Sequence, residues 1–488
     1  MRWGYAACMA YTNLTKSGSG SIIPPMSRTT IEKPRNRPPV KATSGGIRNY
    51  RSALKYLNSL INFEQISPER YASKRNLSRS SRLMSALGHP QKRFKSVHIA
   101  GTKGKGSTAT MLAEMLRSTG YLVGLYTSPH IMDIRERIVI DGKWISTADF
   151  AKSVAAVEAV TKKARVTDPT YFEILTAAAF HRFAEAEVEV AVVETGLGGR
   201  LDCTNVITPE VVGITGISYD HMQQLGSTLS EIAAEKAGIM KRGIPVVTVP
   251  QRAEVKETLS RVAAEVEAPL RVSNEDVAFS SRFEFSRTSG KHTRICFTTP
   301  ISRYEHVQVP LLGDHQAVNC GLVLNIVDTL KGRGFKIDDQ LAAAGLANVH
   351  LPGRMEMICE EPRILVDGAH NAASLDALVR AIGQNITYDS MVVLFGCQRH
   401  KDIPGMMRRL QLGADKVVFT GARIPQSADP TDLAAHYLEQ CGKVAQVADD
   451  LEDALTIARS AVSRGDLICI TGSFYLVAAA KRLLAKSL

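Results

Sequence analysis

A glycine- and lysine-rich turn between an apolar segment and a helical pattern constrains this chain most. The stretch HIAGTKGKGSTATML, residues 98–112, places three glycines and two lysines within six consecutive positions. Glycine allows the positive φ angles of a tight turn and lets backbone N–H groups approach an anion closely. The first turn of the following helix adds partial positive charge. The pattern therefore predicts a strand, a phosphate-binding turn and a helix.

Lys105 is the residue of this turn that we expect to contact transferred phosphates. A strict P-loop, G-x-x-x-x-G-K-[ST], is not met, because Gly106 separates Lys105 from Ser107. Lys105 still suits the β- and γ-phosphates, and Ser107 or Thr108 suits a hydroxyl near Mg²⁺. An ordinary surface loop is the alternative. The predicted ATP-binding residues of the turn are Gly101, Thr102, Lys103, Gly104, Lys105, Gly106, Ser107 and Thr108.

Apolar segments and helical patterns alternate along most of the chain. Segments such as KSVHIAG, YLVGLY and VEVAVVE are typical of strands, and the text between them, such as STATMLAEMLRSTG, is typical of helices. This alternation favours a parallel sheet with helices on both faces. Residues 270–310 are rich in Thr, Ser and Phe instead, and we predict antiparallel strands there that close the first domain.

A second alternating pattern predicts a second α/β domain. It begins with the helical stretch DHQAVNCGLVLNIVDTL and includes the apolar segments RILV, MVVLFG, KVVFTG and DLICITG, without a G-x-G-x-x-G fingerprint. We predict an α/β protein with a leader at residues 1–48 and an N-terminal P-loop ATPase domain with a mainly parallel sheet at 49–309. A smaller C-terminal Rossmann-like domain is predicted at 310–488.

The first 50 residues differ from the rest of the chain in charge. They contain eight Lys and Arg residues against one acidic residue, and so carry +7 of the net charge of +12. An acid-poor N-terminus rich in Arg and Ser is typical of organellar transit peptides. We therefore expect a mitochondrial protein. A plastid location is one alternative, and a basic tail without targeting, on a cytoplasmic protein, is another.

The remaining composition excludes several classes of protein. No stretch of about 18 uncharged apolar residues occurs, so no membrane span is predicted. Outside the leader we find no basic stripe interleaved with aromatic residues, which argues against nucleic-acid binding. The eight cysteines are scattered without a C-x-x-C pair, a pattern that suits a reducing compartment. We expect a monomer whose partners are small molecules.

A series of short motifs follows the glycine-rich turn in a fixed order. GTKGKGST is followed by YTSPHI, RERI, FEILTAAAF, ETGLGGRLDCTN and ITGISYDHMQQLG. EKAGIM, HQAVN, LPGRME, DGAHN and TGSFYLV complete the series, which spans roughly residues 50–485. Together these motifs resemble the folylpolyglutamate synthase/dihydrofolate synthase branch of the Mur ligases, which implies the Mur ligase fold.

The resemblance implies an ATP-dependent ligase of folate biosynthesis and one-carbon metabolism. Members of the family join a carboxylate to the amine of L-glutamate through an acyl phosphate made from ATP. Such a protein mainly positions charged groups and neutralises charge on phosphoryl oxygens. ATP as co-substrate and Mg²⁺ are therefore expected, and the catalytic residues implied are Lys105, Lys236 and His370.

The resemblance also implies metal ligands, namely Ser128, Glu194, His221 and a carbamylated Lys236. Each has a purely structural alternative. Ser128 could be a turn residue, Glu194 a salt-bridge partner and His221 a helix cap, and Lys236 could be a solvated helix lysine. In favour of Glu194, the carboxyl end of an apolar strand is where α/β sheets bind ligands.

The second domain would complete the nucleotide site. The family's adenine, phosphate and ribose contacts fall on Asn319, Arg354 and Asp367, with His370 nearby. An ordinary helix residue and a surface charge are the alternatives for the first two. The later string FGCQRHKD carries His400 where the family has Asp, so its local ion pairing departs from the family pattern.

The carboxylate acceptor separates two activities of this family. ETGLGGRLDCTN and EKAGI look like the bacterial-type branch, which includes dihydrofolate synthases acting on 7,8-dihydropteroate. Elongation of tetrahydrofolate is the alternative, and a nucleotide-binding protein without ligase activity is an alternative of another class. Tyr171 and Phe172 suit a clamp on a pterin ring, unless both pack in the core. The implied substrate contacts are Asn76, Arg79, Thr170, Tyr171, Phe172, Glu173, Leu201, Asp202 and Cys203.

Overall fold

A computed structural model describes residues 46–62, 77–286 and 290–486. Residues 1–45 of the predicted leader and the predicted substrate contact Asn76 lie outside these ranges. The described residues form sheets of eight, three and six strands. No helix in these ranges is long and apolar enough to cross a bilayer.

The largest sheet belongs to the N-terminal part of the chain. Its strands are β1 (Lys95–Ala100), β2 (Val123–Tyr126), β3 (Ile138–Ile140), β4 (Lys143–Trp144), β5 (Val190–Glu194), β6 (Val211–Ile214), β7 (Val246–Thr248) and β8 (Leu270–Val272). Their order is β4-β3-β2-β5-β1-β6-β7-β8. All pairs from β2 to β8 are parallel, and β3 and β4 add an antiparallel edge. The sheet is therefore mainly parallel, as the alternating pattern predicts.

The central strands β5 and β6 are mainly apolar and fully buried because helices cover them. VAVVE of β5 and VVGI of β6 are buried throughout, as expected for a parallel sheet without a solvent face. The described α-helices of this part are α1 (Tyr50–Asn58), α2 (Leu77–Ala86), α3 (Lys105–Ser118), α4 (Thr147–Lys163), α5 (Tyr171–Glu185), α6 (Met222–Leu225), α7 (Leu229–Ala237) and α8 (Ala253–Glu265).

An antiparallel sheet and two helices complete the N-terminal part. The strands are β9 (Phe279–Ser286), β10 (Gly290–Thr298) and β11 (Arg303–Val309), within the predicted antiparallel segment. The helices are α9 (Asp314–Gly332) and α10 (Asp339–Ala347).

Helix α9 packs on the large sheet, although the predicted boundary at residues 309/310 assigns it to the second domain. A methyl group on Gly213 of β6 would come within 2.8 Å of the Ile326 side chain, so α9 lies directly on that strand. Helix α10 packs against α3. A helical pattern does not reveal which sheet its apolar face covers. We therefore propose that the boundary lies between Ala347 and Glu356.

The six-stranded sheet forms the C-terminal part. Its strands are β12 (Glu356–Glu360), β13 (Arg363–Val366), β14 (Met391–Phe395), β15 (Lys416–Phe419), β16 (Gln446–Val447) and β17 (Leu467–Thr471), in the order β12-β13-β17-β14-β15-β16. Only the β12–β13 pair is antiparallel. Its helices are α11 (Ala372–Asn385), α12 (Ile403–Leu410), α13 (Pro430–Cys441), α14 (Leu451–Ser460) and α15 (Phe474–Lys486). This second α/β unit confirms the predicted architecture.

His98 of β1 makes the stability of the N-terminal part depend on pH. Its Nε2 lies 2.8 Å from Thr204 Oγ1, and burial, with a smaller contribution from Lys241, lowers its pKa to about 3. The folded state therefore keeps a neutral imidazole that the unfolded chain protonates below about pH 6.5. Because the folded pKa is the lower one, His98 stabilises the fold above pH 6.5, and this contribution is lost as the pH falls toward 3.

We expect His98→Gln to flatten the acid limb of the stability profile. The free energy of unfolding of the wild type should fall more steeply below pH 6.5 than that of the variant. The difference approaches about 1.4 kcal/mol per pH unit. Urea denaturation at half-unit steps from pH 7.5 to pH 4 measures both slopes. Parallel curves would show that His98 is protonated equally in both states.

Candidate active site

The carboxyl ends of strands from both large sheets open into one cavity. Its volume is about 960 Å³. The segments that follow β1, β5 and β6 line it from the N-terminal unit, and those that follow β13, β14 and β17 line it from the C-terminal unit. The carboxyl edge is where open α/β sheets bind ligands. The cavity therefore lies between the two units, at the edge of each sheet where ligands usually bind.

The glycine-rich turn forms one wall of this cavity and is fixed to the loop after β6. Gly101 has φ +146° and Gly104 has φ +82°, so both glycines are required by the backbone. The Thr102 N–H donates to the Gly216 carbonyl at 3.0 Å. A methyl group on Gly104 would lie 2.3 Å from Asn319 Oδ1, which places Asn319 directly on the turn. The predicted adenine contact therefore adjoins the predicted phosphate site.

Of the two hydroxyls predicted near Mg²⁺, the one on Ser107 lines the cavity. Ser107 Oγ accepts a long 3.4 Å hydrogen bond from Gln316 Nε2, which ligands could replace. The Thr108 side chain is fully buried. Burial lowers the pKa of Lys103 to about 8, although Asp220 and Asp376 oppose the shift. Lys103 therefore remains mainly cationic at neutral pH.

Lys105 and Glu194 both line the cavity and face each other. Lys105 Nζ lies 4.0 Å from Glu194 Oε1, and the Ser128 N–H donates to Glu194 Oε2 at 2.9 Å. Burial raises the pKa of Glu194, and Lys105 and the Ser128 N–H oppose that rise. Glu194 therefore does have a salt-bridge partner, as the alternative interpretation held. That partner is Lys105, the lysine that is predicted to contact phosphate.

The predicted metal ligands all line this cavity. The residues fit Mg²⁺, because Glu194 offers a buried carboxylate and Ser128 a hydroxyl, both hard oxygen donors. Among the described ranges, no group of three or more His, Cys, Asp and Glu side chains could hold a metal by itself.

His221 and Lys236 approach the turn from the loop after β6 and from α7. His221 begins α6 with φ +50°, and burial lowers its pKa to about 3 against the attraction of Asp220. Lys236 is 3 % exposed, and its Nζ donates to the Gly101 carbonyl at 2.8 Å. The alternative of a solvated helix lysine is therefore wrong for Lys236, since the amine is buried against the phosphate-binding turn.

Arg354 and Asp367 bring the C-terminal unit to the cavity. The Arg354 guanidinium lies over the Phe474 ring at 4.4 Å from its centroid, and burial lowers the pKa of Arg354 despite Asp367 and Glu194. Asp367 accepts from the Met355 N–H at 2.9 Å and from the Ala369 N–H at 2.8 Å. Arg354 is thus no surface charge, and Asp367 is held rigidly by backbone donors.

His370 faces an acidic residue that the sequence analysis did not single out. Its Nδ1 donates to the Gly368 carbonyl at 2.8 Å, and its Nε2 lies 3.8 Å from Asp220 Oδ2. Burial and Lys401 lower the pKa of His370 to about 4, while Asp220 opposes them. Asp220 immediately precedes His221 and Lys401 belongs to the HKD string, so both stand in motifs that were noted for other residues.

All described residues among the predicted substrate contacts except Tyr171 line the cavity, and Arg79, Thr170 and Glu173 also support the local structure. Thr170 and Glu173 form the capping box of α5, and Glu173 Oε1 also accepts from Arg79 Nε at 2.8 Å. Phe172 lines the cavity beside Gly196. Tyr171 is instead 4 % exposed in the apolar core, where the Arg137 guanidinium lies 5.7 Å from its ring centroid. The predicted clamp is therefore reduced to Phe172.

The loop after β5 lines the same end of the cavity as Phe172. Leu201, Asp202 and Cys203 all face it. Asp202 accepts from the Leu197 N–H at 2.9 Å and from the Thr204 N–H at 3.0 Å. Burial raises the pKa of the Cys203 thiol well above its usual range, so this cysteine stays protonated.

Two family models match this chain. The Mur ligase middle domain matches residues 99–327, and the Mur ligase glutamate ligase domain matches residues 353–474. The first match extends to residue 327 and so includes most of α9 (Asp314–Gly332), in agreement with the packing of this helix on the large sheet.

Curated relatives agree with these models. A dihydrofolate synthase/folylpolyglutamate synthase of Bacillus subtilis is 34% identical over 413 residues, which cover 84% of this chain and 94% of the relative. A folylpolyglutamate synthase of Lacticaseibacillus casei is 34% identical over 446 residues, covering 89% of this chain and 99% of the relative.

Solved structures are similar along almost the whole chain. Mycobacterium tuberculosis folylpolyglutamate synthase complexed with ADP has a TM-score of 0.80 and 33% identity, covering 89% of this chain and 98% of that one. E. coli FolC in complex with DHPP and ADP has a TM-score of 0.79 and 27% identity, covering 91% of this chain and 100% of that one.

Proposed function

This chain belongs to the folylpolyglutamate synthase/dihydrofolate synthase family of the Mur ligases and is an ATP-dependent amino-acid ligase; from that premise we propose that it is a dihydrofolate synthase. It joins L-glutamate to 7,8-dihydropteroate and forms 7,8-dihydrofolate. The observation that carries this proposal is that one cavity is lined by the phosphate-binding turn, by Arg354 and by the Leu201–Cys203 loop.

The choice of acceptor is supported by the strings ETGLGGRLDCTN and EKAGI, which look like the bacterial-type branch of the family. Cys203 and Phe172 give the end of the cavity beyond Glu194 an apolar wall, and Asp202 lies beside them. An apolar wall with few polar groups suits a flat heteroaromatic ring. Tetrahydrofolate carries the same type of ring, so it remains the second candidate acceptor.

The reaction proceeds in two displacements. A carboxylate oxygen of dihydropteroate attacks the γ-phosphorus of ATP, and ADP leaves as the bond to the β-phosphate oxygen breaks. The glutamate amine then attacks the acyl carbon and loses a proton, and inorganic phosphate leaves with the original carboxylate oxygen. Each step requires alignment of two anions, which the protein achieves by fixing them among cationic groups.

Residues of this chain serve both displacements. Lys105 neutralises charge that develops on the γ-phosphoryl oxygens, and Arg354 adds a second cation from the opposite wall. Glu194 and Ser128 would hold Mg²⁺, which supplies Lewis-acid stabilisation of the phosphates when it is bound. His370 donates through Nδ1 to Gly368, so its unprotonated Nε2 is the atom that would receive the amine proton.

Phosphate release tests this function directly. We expect the full chain with ATP, Mg²⁺ and L-glutamate to release phosphate when 7,8-dihydropteroate is the only acceptor. Release with tetrahydrofolate alone would overturn the proposal in favour of a folylpolyglutamate synthase, and release with both would give one cleft both steps. ATP binding without glutamate-dependent release from either acceptor would leave a nucleotide-binding protein. Reactions without glutamate are the control for simple ATP hydrolysis.

A further inference from the structure

Asp220 is a first-unit carboxylate whose partners come mainly from the second unit. It lies in the loop between β6 and α6, and its side chain is 9 % exposed. Lys401 Nζ donates to Asp220 Oδ1 at 3.2 Å, and Asn371 Nδ2 donates to Asp220 Oδ2 at 3.0 Å. The His221 N–H, from the same loop, donates to Oδ1 at 2.9 Å. One carboxylate thus holds two segments of the C-terminal unit.

The two segments that Asp220 holds are those that carry the second unit's cavity residues. Asn371 caps α11, because its Oδ1 accepts from the Ser374 N–H at 2.9 Å. Ser374 Oγ in turn accepts from the His370 N–H at 3.1 Å. A displacement of Asn371 would therefore also move the backbone of His370. Asp220 thus affects His370 in two ways, through this chain of hydrogen bonds and through the direct electrostatic interaction with its ring.

Lys401 has its acid partner across the cavity rather than within its own loop. The preceding residue is His400, and the following Asp402 caps α12 by accepting from the Gly405 N–H at 3.0 Å. The Lys401 side chain is 8 % exposed, so its charge needs a partner when the units are together. A buried charge left alone costs far more than an exposed one. The pair therefore forms only when the units are in register.

We propose that Asp220 is a positioning residue that locks the C-terminal unit against the N-terminal unit in the alignment required for catalysis. By accepting from Lys401 and Asn371 it sets the place of His370 and, with it, the distance from Arg354 to the phosphate-binding turn. The proposal rests on the ligase activity of this cleft and not on the choice of acceptor. The glycine-rich turn belongs to the N-terminal unit, so its own contacts with a nucleotide should survive a loss of alignment, whereas those of Arg354 and Asp367 should weaken.

Asp220→Asn tests the lock because it keeps the size of the side chain and removes its charge. The new amide must turn an N–H toward Lys401 or toward Asn371, so at least one donor loses its acceptor. We expect kcat to fall by about 10- to 100-fold, the range for one charge-assisted hydrogen bond. The dissociation constant of a non-hydrolysable ATP analogue should rise by less than kcat falls, by at most about tenfold, because the glycine-rich turn keeps its contacts while those of Arg354 and Asp367 are displaced.

A double-mutant cycle with Lys401→Met distinguishes a lock from two separate effects. If Asp220 and Lys401 act as one pair, the double variant loses no more activity than the more affected single variant. Multiplied losses in the double variant would overturn the proposal. Lys401→Arg preserves the charge and should restore part of kcat; no recovery would also count against the lock. The comparison of Lys401→Met with Lys401→Arg still tests the proposal if Asp220→Asn does not fold.

Three further measurements separate alignment from other causes. Arg242→Gln breaks an exposed ion pair with Glu267 and should leave kcat unchanged. The Mg²⁺ concentration for half-maximal rate should be the same in Asp220→Asn and wild type; recovery of kcat at high Mg²⁺ would show a metal ligand instead of a lock. A wild type without glutamate-dependent phosphate release defeats the proposed function, whereas an active wild type with an equally active Asp220→Asn defeats only this inference.

Discussion

Replacing Lys105 with methionine should lower kcat for glutamate-dependent phosphate release by about 10²- to 10³-fold, the usual effect of removing one preorganised group that stabilises transition-state charge. Lys105 opens α3 at the wall of the cavity, and its Nζ faces Glu194 at 4.0 Å. Methionine keeps most of the aliphatic length but cannot neutralise a phosphoryl oxygen. Since the Lys105 side chain is only 16% exposed and partly paired, the variant should also leave Glu194 without its nearest cation.

The stability of the Lys105→Met variant should change much less than its activity. Loss of the cation raises the cost of an ionised Glu194, which can take up a proton instead. Thermal unfolding of the variant and single-turnover phosphate release measure the two effects separately. Lys162→Met is a suitable control, because Lys162 is an exposed helix lysine with a similar acidic partner, Glu158. Lys105→Met with more than a tenth of wild-type kcat would refute the assigned role.

Gly101→Ala should destroy the geometry of the phosphate-binding turn. Gly101 has φ +146°, and an added methyl group would lie 1.8 Å from Thr215 Oγ1 and 3.1 Å from the Thr215 backbone nitrogen. Thr215 is fully buried, and its N–H donates to the Ala100 carbonyl at 2.9 Å, so it has little room to move. We expect a loss of about 2 to 4 kcal/mol in the free energy of unfolding, from backbone strain and overpacking together.

The activity of Gly101→Ala should fall by about 10²-fold or more, because a shift of about 1 Å in a positioning element is enough for that loss. Gly120→Ala is the matched control. Gly120 also has a positive φ, of +94°, but no atom lies within 4 Å of the position of an added methyl group. It should lose about 1 kcal/mol of stability and keep its kcat. Equal losses of kcat in the two variants would refute the clash with Thr215.

Local sequence patterns predicted the elements of the fold better than their assembly. β1 and α3 follow from an apolar segment, a glycine-rich turn and a 3.6-residue period, all within 20 or so residues. The domain to which α9 belongs could not be predicted in this way, because a local apolar pattern does not show which sheet the helix covers. What decides it is the contact of Ile326 with Gly213, more than 100 residues earlier in the chain. Such pairings are properties of the folded chain and carry no local signal.

The same limit applies to the site. Glu194 was predictable because it ends an apolar strand, and the structure places it beside Lys105. Tyr171 was predicted to line the pterin site but packs in the apolar core. The sequence at the start of α5 does not show which of two adjacent aromatic rings enters the core. Asp220 and Lys401 were missed because each belongs to a different unit, and their pairing depends on how the units meet. The motifs drew attention to their neighbours, His221 and His400, but not to the contact itself.

The fate of one oxygen atom tests the central claim most directly. We would run the wild-type reaction with 7,8-dihydropteroate labelled with ¹⁸O in its carboxylate and analyse the released phosphate by mass spectrometry. An acyl phosphate intermediate requires that each phosphate formed carries one oxygen from the acceptor carboxylate, and that its formation depends on glutamate. Phosphate that carries only oxygen from ATP and water would show direct hydrolysis, and would contradict the assignment of this cleft as a site of amide ligation.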